Sequence, residues 1–198
     1  MSGGATRFLW IRHAPSIGAD GRWTGRRSDP HARLPEPEAL GPLWDACSGM
    51  DHLVTSPLRR ARETAAALFP EHAPETAADL AEQDFGDWDG QLYADASMPA
   101  GLDAAGIAAF RPPGGESLDD LLARVRPAIA RIGKDHAGQA VAVVAHGGVI
   151  RCALAAAMNA DASSAVAFDI APLSLTSVTL FDGGGARIDH VNRTALPG

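Results

Sequence analysis

Two histidines in this sequence stand at the ends of apolar segments, beside residues that bind anions. His13 follows the apolar residues 8–11 and Arg12, and His146 follows a longer apolar run and precedes two glycines. A neutral imidazole can act as a nucleophile or a proton carrier. A guanidinium at the end of an apolar strand needs an anion or water as its partner, and its planar fork matches phosphate oxygens. These residue types therefore indicate chemistry on an anionic group such as phosphate.

Two further features favour an anion site. Gly147 and Gly148 directly precede a predicted helix, and glycines there leave backbone N–H groups free at the positive end of the helix dipole. The helix that Pro57 begins carries three arginines in its first turns: Arg59, Arg60 and Arg62. The spacing from Pro57 favours Arg60 as the inward member but does not exclude the other two.

The elements that position these residues alternate between strands and helices. Apolar patterns predict strands at 7–12, 51–56, 139–148 (ending on His146), 165–170 and, as an antiparallel hairpin, within 175–194. Helices are predicted at 36–49, 57–69, 117–135 and 149–158, with one or two short ones within 84–116. This order predicts an α/β protein, a three-layer α/β/α sandwich with a mostly parallel central sheet and an antiparallel edge hairpin.

The helix predicted at 117–135 has a clear beginning and one irregularity. Ser117 and Asp120 resemble a capping box with aspartate in the place of glutamate. Pro127 lies inside the same helix and is expected to kink it. The sequence offers no reason for this proline.

The predicted sheet gathers the candidate residues at one edge. His13, Ser56 and His146 each stand at the carboxyl end of a strand, and ligands of such sheets bind at that edge. The long segment 13–37, rich in glycine, proline and arginine, follows the first strand; loops of that length in compact domains are usually functional.

Composition limits the class of protein. We expect one domain over residues 1–198. The net charge of −7 argues against a nucleic-acid partner or a membrane-bound cationic face. Cys47 and Cys152 match no metal spacing, and two buried reduced thiols are expected. The N-terminal segment is too short in apolar residues for a signal peptide or a membrane span, so a cytoplasmic protein is expected.

Five segments occur in order along the chain: RHAP at 12–15, TSPLRRARETA at 55–65, LAEQDFGDWDG at 80–90, PGGESLDDLLARV at 113–125 and VAVVAHGGVIR at 141–151. Together they resemble the sequence blocks of the histidine phosphatase superfamily, which has the phosphoglycerate mutase-like fold. The resemblance covers roughly residues 7–160 and singles out Arg60 among the arginines. Ala14 departs from it, because the family usually has glycine after the histidine, and the backbone there is expected to be more constrained.

The resemblance implies a phosphomonoesterase that needs no metal and no cofactor and acts on a small phosphorylated metabolite. His13 would attack phosphorus and form a phosphohistidine. Arg12, Arg60, a cationic His146 and the N–H of Gly147 would surround the phosphoryl oxygens. Glu82, at the acid position of the third segment, would protonate the leaving oxygen and then activate water. The neighbouring carboxylates Asp84, Asp87 and Asp89 are expected to be solvated.

A second and shorter resemblance concerns the loop after His13. The segment 14–35 is similar to that of α-ribazole phosphatase-like members, which act in cobalamin synthesis. The substrate-binding residues implied by this similarity are Trp23, Thr24, Gly25 and Arg26. α-Ribazole 5′-phosphate is therefore a candidate substrate, beside small phosphate esters in general.

Three alternatives remain open from the sequence. The same fold could carry a phosphoglycerate mutase, although such mutases are typically longer. A non-catalytic phosphate-binding regulator would not need the arginine pair, both histidines and Glu82 together. A metallohydrolase built on His13 and His146 finds no support in the spacing of the ligand-type residues.

Overall fold

The computed structural model describes residues 4–194. Six strands form a single mixed sheet, and their bounds are β1 (Thr6–Arg12), β2 (His52–Thr55), β3 (Glu75–Thr76), β4 (Ala140–Ala145), β5 (Leu175–Leu180) and β6 (Ala186–Arg193). The strand order is β3-β2-β4-β1-β5-β6. Strands β3, β2, β4 and β1 pair in parallel, whereas β5 and β6 are antiparallel and lie at one edge. The predicted mostly parallel sheet with an edge hairpin is confirmed.

Helices cover both faces of the sheet. The α-helices are α1 (Gly41–Ala46), α2 (Arg59–Leu68), α3 (Ala104–Ala109), α4 (Leu118–Asp135), α5 (Gly147–Ala157) and α6 (Ala162–Ala165). Short 3₁₀ turns span Pro37–Leu40, Ala78–Leu80 and Gly86–Trp88. The described residues contain no helix with the length and apolar content needed to cross a membrane.

The side chains of β1 alternate between two core layers, one on each face of the sheet. Phe8 and Trp10 pack with the α4 and α5 side of the sheet, whereas Leu9 and Ile11 pack with the α1 and α2 side. Successive side chains of a strand point to opposite faces, so a strand covered on both faces is apolar throughout. The predicted three-layer α/β/α arrangement is confirmed, and both cysteines are buried in these layers.

One predicted strand is wrong. Residues 166–170 form no strand; they follow α6 and lead into β5. Both sides of β1 are already occupied by β4 and β5, and the apolar residues Val166, Phe168 and Ile170 pack with the helix side of the core. A short apolar run cannot be distinguished from such a packed segment by its pattern alone.

Helix α4 begins as predicted and continues through its proline. The Ser117 hydroxyl accepts from the Asp120 N–H at 3.2 Å, and the Asp120 carboxylate accepts from the Ser117 N–H at 2.7 Å, which completes the capping box. Pro127 does not end the helix. Pro127 and Ala123, whose carbonyl loses its intrahelical partner, are both exposed, so water can hydrate that carbonyl.

Replacing Pro127 by alanine restores the missing hydrogen bond, and we expect it to raise the free energy of unfolding by about 2 kcal/mol. A proline inside a helix destabilises the folded state by about 3 kcal/mol. It also lowers the entropy of the unfolded chain, which offsets about 0.4–1 kcal/mol of that loss. Urea unfolding followed by circular dichroism measures the change. Ala130→Gly, an exposed change on the same helix, calibrates the measurement with an expected loss of about 1 kcal/mol. An unchanged or lower stability of Pro127→Ala would show that the proline ring contributes packing.

Candidate active site

The sheet brings the two histidines together. Arg12 at the end of β1 is opposite Ala145 at the end of β4, so the next residues, His13 and His146, leave neighbouring parallel strands side by side. Their ring centroids are 4.9 Å apart in an edge-to-face arrangement. The predicted meeting of these strand ends at one rim is present in the structure.

Hydrogen bonds determine which nitrogen of His13 is free to react. Nδ1 lies 2.6 Å from the carbonyl oxygen of Ala14, which can only accept, so Nδ1 carries the proton. Nε2 accepts from Nε of Arg60 at 3.2 Å and therefore has a lone pair. Ala14 is buried, and its φ is not positive, so alanine fits where the family usually has glycine. The arrangement presents a neutral imidazole with an unprotonated Nε2.

His146 is completely buried and is held by Ser56, the residue that follows β2. Its Nε2 lies 2.6 Å from Ser56 Oγ, and that hydroxyl also accepts from the Leu58 N–H at 3.3 Å. With its oxygen accepting from Leu58, the hydroxyl can donate to Nε2, which leaves the proton of His146 on Nδ1. Among the described residues, nothing partners this Nδ1, although it is buried.

Burial and neighbouring cations keep both imidazoles neutral. Desolvation first, and then the charge of Arg60, lower the pKa of His13 to about 3. Desolvation, followed by the charges of His13, Arg60 and Arg12, holds the pKa of His146 well below its usual 6.5. The expected positive charge on His146 is therefore wrong for a site made of these side chains alone. A neutral His146 still offers its Nδ1–H as a donor.

Arg60 is buried completely at the start of α2. Beside its bond to His13, its Nη1 donates to the carbonyl of Ser28 at 3.0 Å and its Nη2 to that of Gly25 at 3.0 Å. Within residues 4–194 no carboxylate forms an ion pair with it. Arg60 therefore serves both the histidine pair and the long loop that follows β1, a second role that the sequence did not indicate.

Arg12 lies at the end of β1 against the first turn of α5. Its Nη1 donates to the carbonyl of Ile170, and its Nε is buried without a hydrogen-bond partner among the described residues. A Cβ atom added at Gly147 would lie 3.6 Å from its guanidinium carbon, so the two residues are in close approach. An unpartnered buried N–H is costly and is satisfied when an anion binds.

Glu82 reaches the same place from the segment between α2 and α3. Its Oε1 accepts from the Gln83 N–H at 3.0 Å, and its Oε2 accepts from the Gly148 N–H at 3.3 Å in the first turn of α5. A Cβ atom at Gly148 would come within 2.5 Å of Oε1, so a glycine at this position leaves room for the carboxylate. The structure thus places Glu82 beside the histidine pair and the two arginines.

These residues line an open cavity of about 450 Å³. We call four of the lining residues, Arg12, His13, Arg60 and Gly147, the cavity floor. His146 lies behind the floor, against His13. Arg151 also lines the cavity, and its Nε is buried without a partner among residues 4–194. Arg151 was not predicted from the sequence, although its position one helical turn after Gly147 is a signal for it.

The four residues implied by the second resemblance divide into two groups. Trp23 and Thr24 line the cavity. Gly25 packs against the backbone of Gln83, where an added Cβ would come within 2.4 Å of the carbonyl oxygen. Arg26 forms ion pairs with Asp84 at 3.1 Å and Glu116 at 3.4 Å outside the cavity lining. The structure thus gives Gly25 and Arg26 a role in loop packing and does not include them in the cavity lining.

The loop carboxylates are less solvated than expected. Asp84 is buried and accepts from Nε of Arg26 and Nε of Arg27, the latter at 2.8 Å. Asp89 accepts from the backbone N–H groups of Gly25 and Arg27. Only Asp87 has a largely exposed side chain. The ion pairs connect the loop after β1 with the segment 82–90 and so shape the cavity.

No three His, Cys, Asp or Glu side chains in the described part of the chain are grouped so that they could hold a metal ion. The charge in the cavity floor is instead carried by guanidinium groups.

Comparison with known proteins gives a family. The model of the histidine phosphatase superfamily (branch 1) matches residues 11–194. A bifunctional protein of Mycobacterium tuberculosis is 30% identical over 200 residues, covering 97% of this chain and 55% of that protein. Glucosyl-3-phosphoglycerate phosphatase of the same species is 40% identical over 119 residues, covering 54% of this chain and 53% of that protein. The chain thus spans about half the length of these curated relatives.

Solved structures are similar over nearly the whole chain. The native mycobacterial glucosyl-3-phosphoglycerate phosphatase has a TM-score of 0.82 and 26% identity, covering 96% of this chain and 100% of that one. A putative α-ribazole-5′-P phosphatase from Escherichia coli has a TM-score of 0.81 and 22% identity, covering 98% of this chain and 100% of that one. The second likeness shows the fold alone.

The buried neutral histidines predict that stability falls in mild acid. The unfolded chain takes up a proton on each histidine near pH 6.5, whereas folded His13 does so only near pH 3 and folded His146 well below 6.5. Each contribution is complete above about pH 7.5 and falls by up to about 1.4 kcal/mol per pH unit below about 6.5.

Urea unfolding at pH 7.5 and 5.5 in phosphate-free buffer measures this loss, which we expect to reach about 3 kcal/mol for the pair. In His13→Asn the loss should be smaller by about half, because one of the two histidines is gone. Equal losses in the wild type and in this variant would contradict a neutral His13.

Proposed function

This chain belongs to the histidine phosphatase superfamily, and we propose that it hydrolyses small phosphate monoesters through a phosphohistidine on Nε2 of His13. One observation carries the proposal: a neutral imidazole with a free lone pair stands among guanidinium groups in an open cavity, beside a carboxyl group. Nucleophile, charge stabilisation and proton donor are thus within one site.

The first half of the reaction transfers the phosphoryl group to His13. Nε2 attacks phosphorus while the bond from phosphorus to the leaving oxygen breaks, and Glu82 in its protonated form gives that oxygen its proton. The Nδ1–H bond to Ala14 fixes the ring and stabilises the positive charge that develops on it. Arg60 must release its contact with Nε2 and turn that N–H to a phosphoryl oxygen.

The second half returns the enzyme to its starting state. Glu82, now a carboxylate, takes a proton from water; the water oxygen attacks phosphorus, and the phosphorus–nitrogen bond breaks. Inorganic phosphate leaves, and His13 is again neutral with a lone pair on Nε2.

The positive charge needed for this reaction comes from side chains. Arg12 and Arg151 each have a buried Nε that an oxyanion can satisfy, and Nδ1 of His146 is a third such donor. Phosphoryl transfer depends mainly on positioning and on charge stabilisation of the equatorial oxygens. We therefore propose that the reaction proceeds without a metal, so that a chelator leaves the rate unchanged.

The substrate proposal is narrower. Our first candidate is α-ribazole 5′-phosphate, an intermediate of cobalamin synthesis. It is supported by the similarity of the loop after His13 and by Trp23 and Thr24 in the cavity lining. Glucosyl-3-phosphoglycerate is the second candidate, because a phosphatase of that substrate is among the relatives.

A panel of esters tests the substrate. Phosphate release is measured for α-ribazole 5′-phosphate, glucosyl-3-phosphoglycerate and 3-phosphoglycerate, with and without a chelator, and we expect kcat/KM to be highest for the first. Isomerisation of 3-phosphoglycerate without phosphate release would instead indicate a mutase. If none of these esters releases phosphate, the substrate proposal is contradicted. If no phosphate ester of any kind is hydrolysed, the proposed phosphatase activity is contradicted.

Glu82→Gln tests the acid and base roles. An alkyl phosphate needs a proton on its leaving oxygen, so its kcat/KM should fall by at least about 100-fold. p-Nitrophenol leaves without a proton, so p-nitrophenyl phosphate should still phosphorylate His13, and the phosphohistidine should accumulate because water is no longer activated. Rapid-quench measurement of acid-labile phosphate on the protein follows this accumulation.

Two variants complete the test. His13→Ala should show no acid-labile phosphate and no turnover of either ester. Asp87→Asn removes a largely exposed carboxyl five positions beyond Glu82 and should leave both rates unchanged. Equal losses on the two esters in Glu82→Gln would contradict its role as general acid.

A further inference from the structure

The cavity extends well beyond the space that a phosphoryl group needs. At about 450 Å³ it is within the range of pockets that bind whole small molecules. In an in-line transfer the leaving oxygen is opposite the attacking nitrogen. Because His13 is almost completely buried, the alcohol part of the ester points away from it into the rest of the cavity.

Three aromatic side chains of the lining form what we call the aromatic rim: Trp23, Phe85 and Tyr93. The ring centroid of Trp23 is 4.9 Å from that of Phe85 and 5.0 Å from that of Tyr93, and the planes of Trp23 and Tyr93 meet at 84°. Further apolar lining comes from Met98, Ile107 and Val166.

The aromatic rim is fixed by the backbone. Two loops pair at this point: the N–H of Trp23 donates to the Gln91 carbonyl at 3.0 Å, and the N–H of Tyr93 donates to the Gly21 carbonyl at 2.9 Å. Trp23 Nε1 donates to the Ala96 carbonyl at 2.7 Å, so its polar atom is satisfied and its ring is left for apolar contact. The rings are therefore positioned before a ligand binds, which lowers the entropy cost of binding.

Tyr93, the single tyrosine of the chain, is 53% exposed, an unusual state for an aromatic ring that lines a cavity. It also lies within electrostatic range of Arg12 in the cavity floor. Burial lowers the pKa of Arg12, whereas the nearby Glu82 and Tyr93 are among the groups that raise it. The ring is thus open to solvent and lines the same cavity as the phosphoryl-binding residues.

We propose that the aromatic rim binds a flat apolar ring carried by the leaving alcohol, with Tyr93 as the main contact. This inference rests on the proposed phosphatase function and adds the chemical class of its substrate. Ring–ring contacts at these distances give selectivity beyond the area they bury.

A matched pair of esters isolates this contact. 2-Phenylethyl phosphate and ethyl phosphate both release a primary alcohol, and they differ by the ring. We expect wild-type kcat/KM to favour the phenyl ester by at least about 30-fold. In Tyr93→Ala this ratio should fall about 10-fold through a higher KM for the phenyl ester, whereas Tyr93→Phe, which keeps the ring, should stay within about threefold of the wild type.

Trp44→Ala serves as the control, because Trp44 is an exposed aromatic residue of α1 outside the cavity lining, and it should change neither ester. A wild-type ratio near one would overturn the proposal. So would equal losses on both esters in Tyr93→Ala, since a ring contact affects only the phenyl ester. Circular dichroism confirms that each variant is folded.

Failure of the proposed function is distinguishable from failure of this inference. If the chain hydrolyses neither ester, calorimetric binding of 3-phenylpropylphosphonate and propylphosphonate, which are not hydrolysed, decides the matter. Affinity at least about 10-fold higher for the phenyl compound supports the aromatic subsite. Equal affinities overturn it, whatever the catalytic activity.

Discussion

The structure depends on one buried cation. Arg60 is 0% exposed, and its side chain donates to backbone carbonyl oxygens and to a neutral imidazole. Burying a guanidinium costs several kcal/mol unless its N–H groups are satisfied, so the carbonyls of Gly25 and Ser28 must be held where they can accept. The loop after β1 is thereby fixed to the start of α2. Because these partners carry no charge, the positive charge of Arg60 remains available to the cavity floor, in a chain whose net charge is −7.

Strand register supplies the second constraint. Neighbouring strands lie roughly 5 Å apart, and Arg12 is paired with Ala145, so the residues that follow must meet at about that spacing. The ring centroids of His13 and His146 are indeed 4.9 Å apart. Burial first, and then the crowding of two imidazoles beside two guanidinium groups, favours the neutral form of each ring. His13 is therefore neutral because the ends of the central strands are buried and place it beside these groups.

The parts of this site that lie at strand ends could be predicted from the sequence. The physical reason is that a long apolar run can adopt few structures other than a buried strand. The run before His146 must be a covered strand, and its carboxyl end must be at the ligand edge of a parallel sheet. Contacts between loops have no such signal. Arg26 and Asp84 are 58 positions apart, and only the folded approach of their loops makes them an ion pair.

The two-residue strand β3 and the packed segment at 166–170 were missed for a related reason. Both segments are too short for the periodicity of their apolar residues to identify their structure. Glu82 could be predicted only in part. Its spacing alone does not distinguish it from a surface carboxylate, and only the resemblance of its segment to the family block indicated a catalytic acid. The structure adds the local cause of its position, because the N–H of Gly148 in the first turn of α5 donates to its carboxylate.

Under the proposed function, chemistry and selectivity thus have different structural origins in this chain. The cavity floor is attached to the sheet and to the first turns of α2 and α5, whose positions the two-sided core determines. The mouth is made of the two long loops, joined by backbone hydrogen bonds at residues 21–23 and 90–93. Substitutions in the loops can therefore change which alcohol is accepted while the floor keeps its geometry. Arg60 is the exception, because it belongs to the floor and also holds the loop, so a change there must affect catalysis and selectivity together.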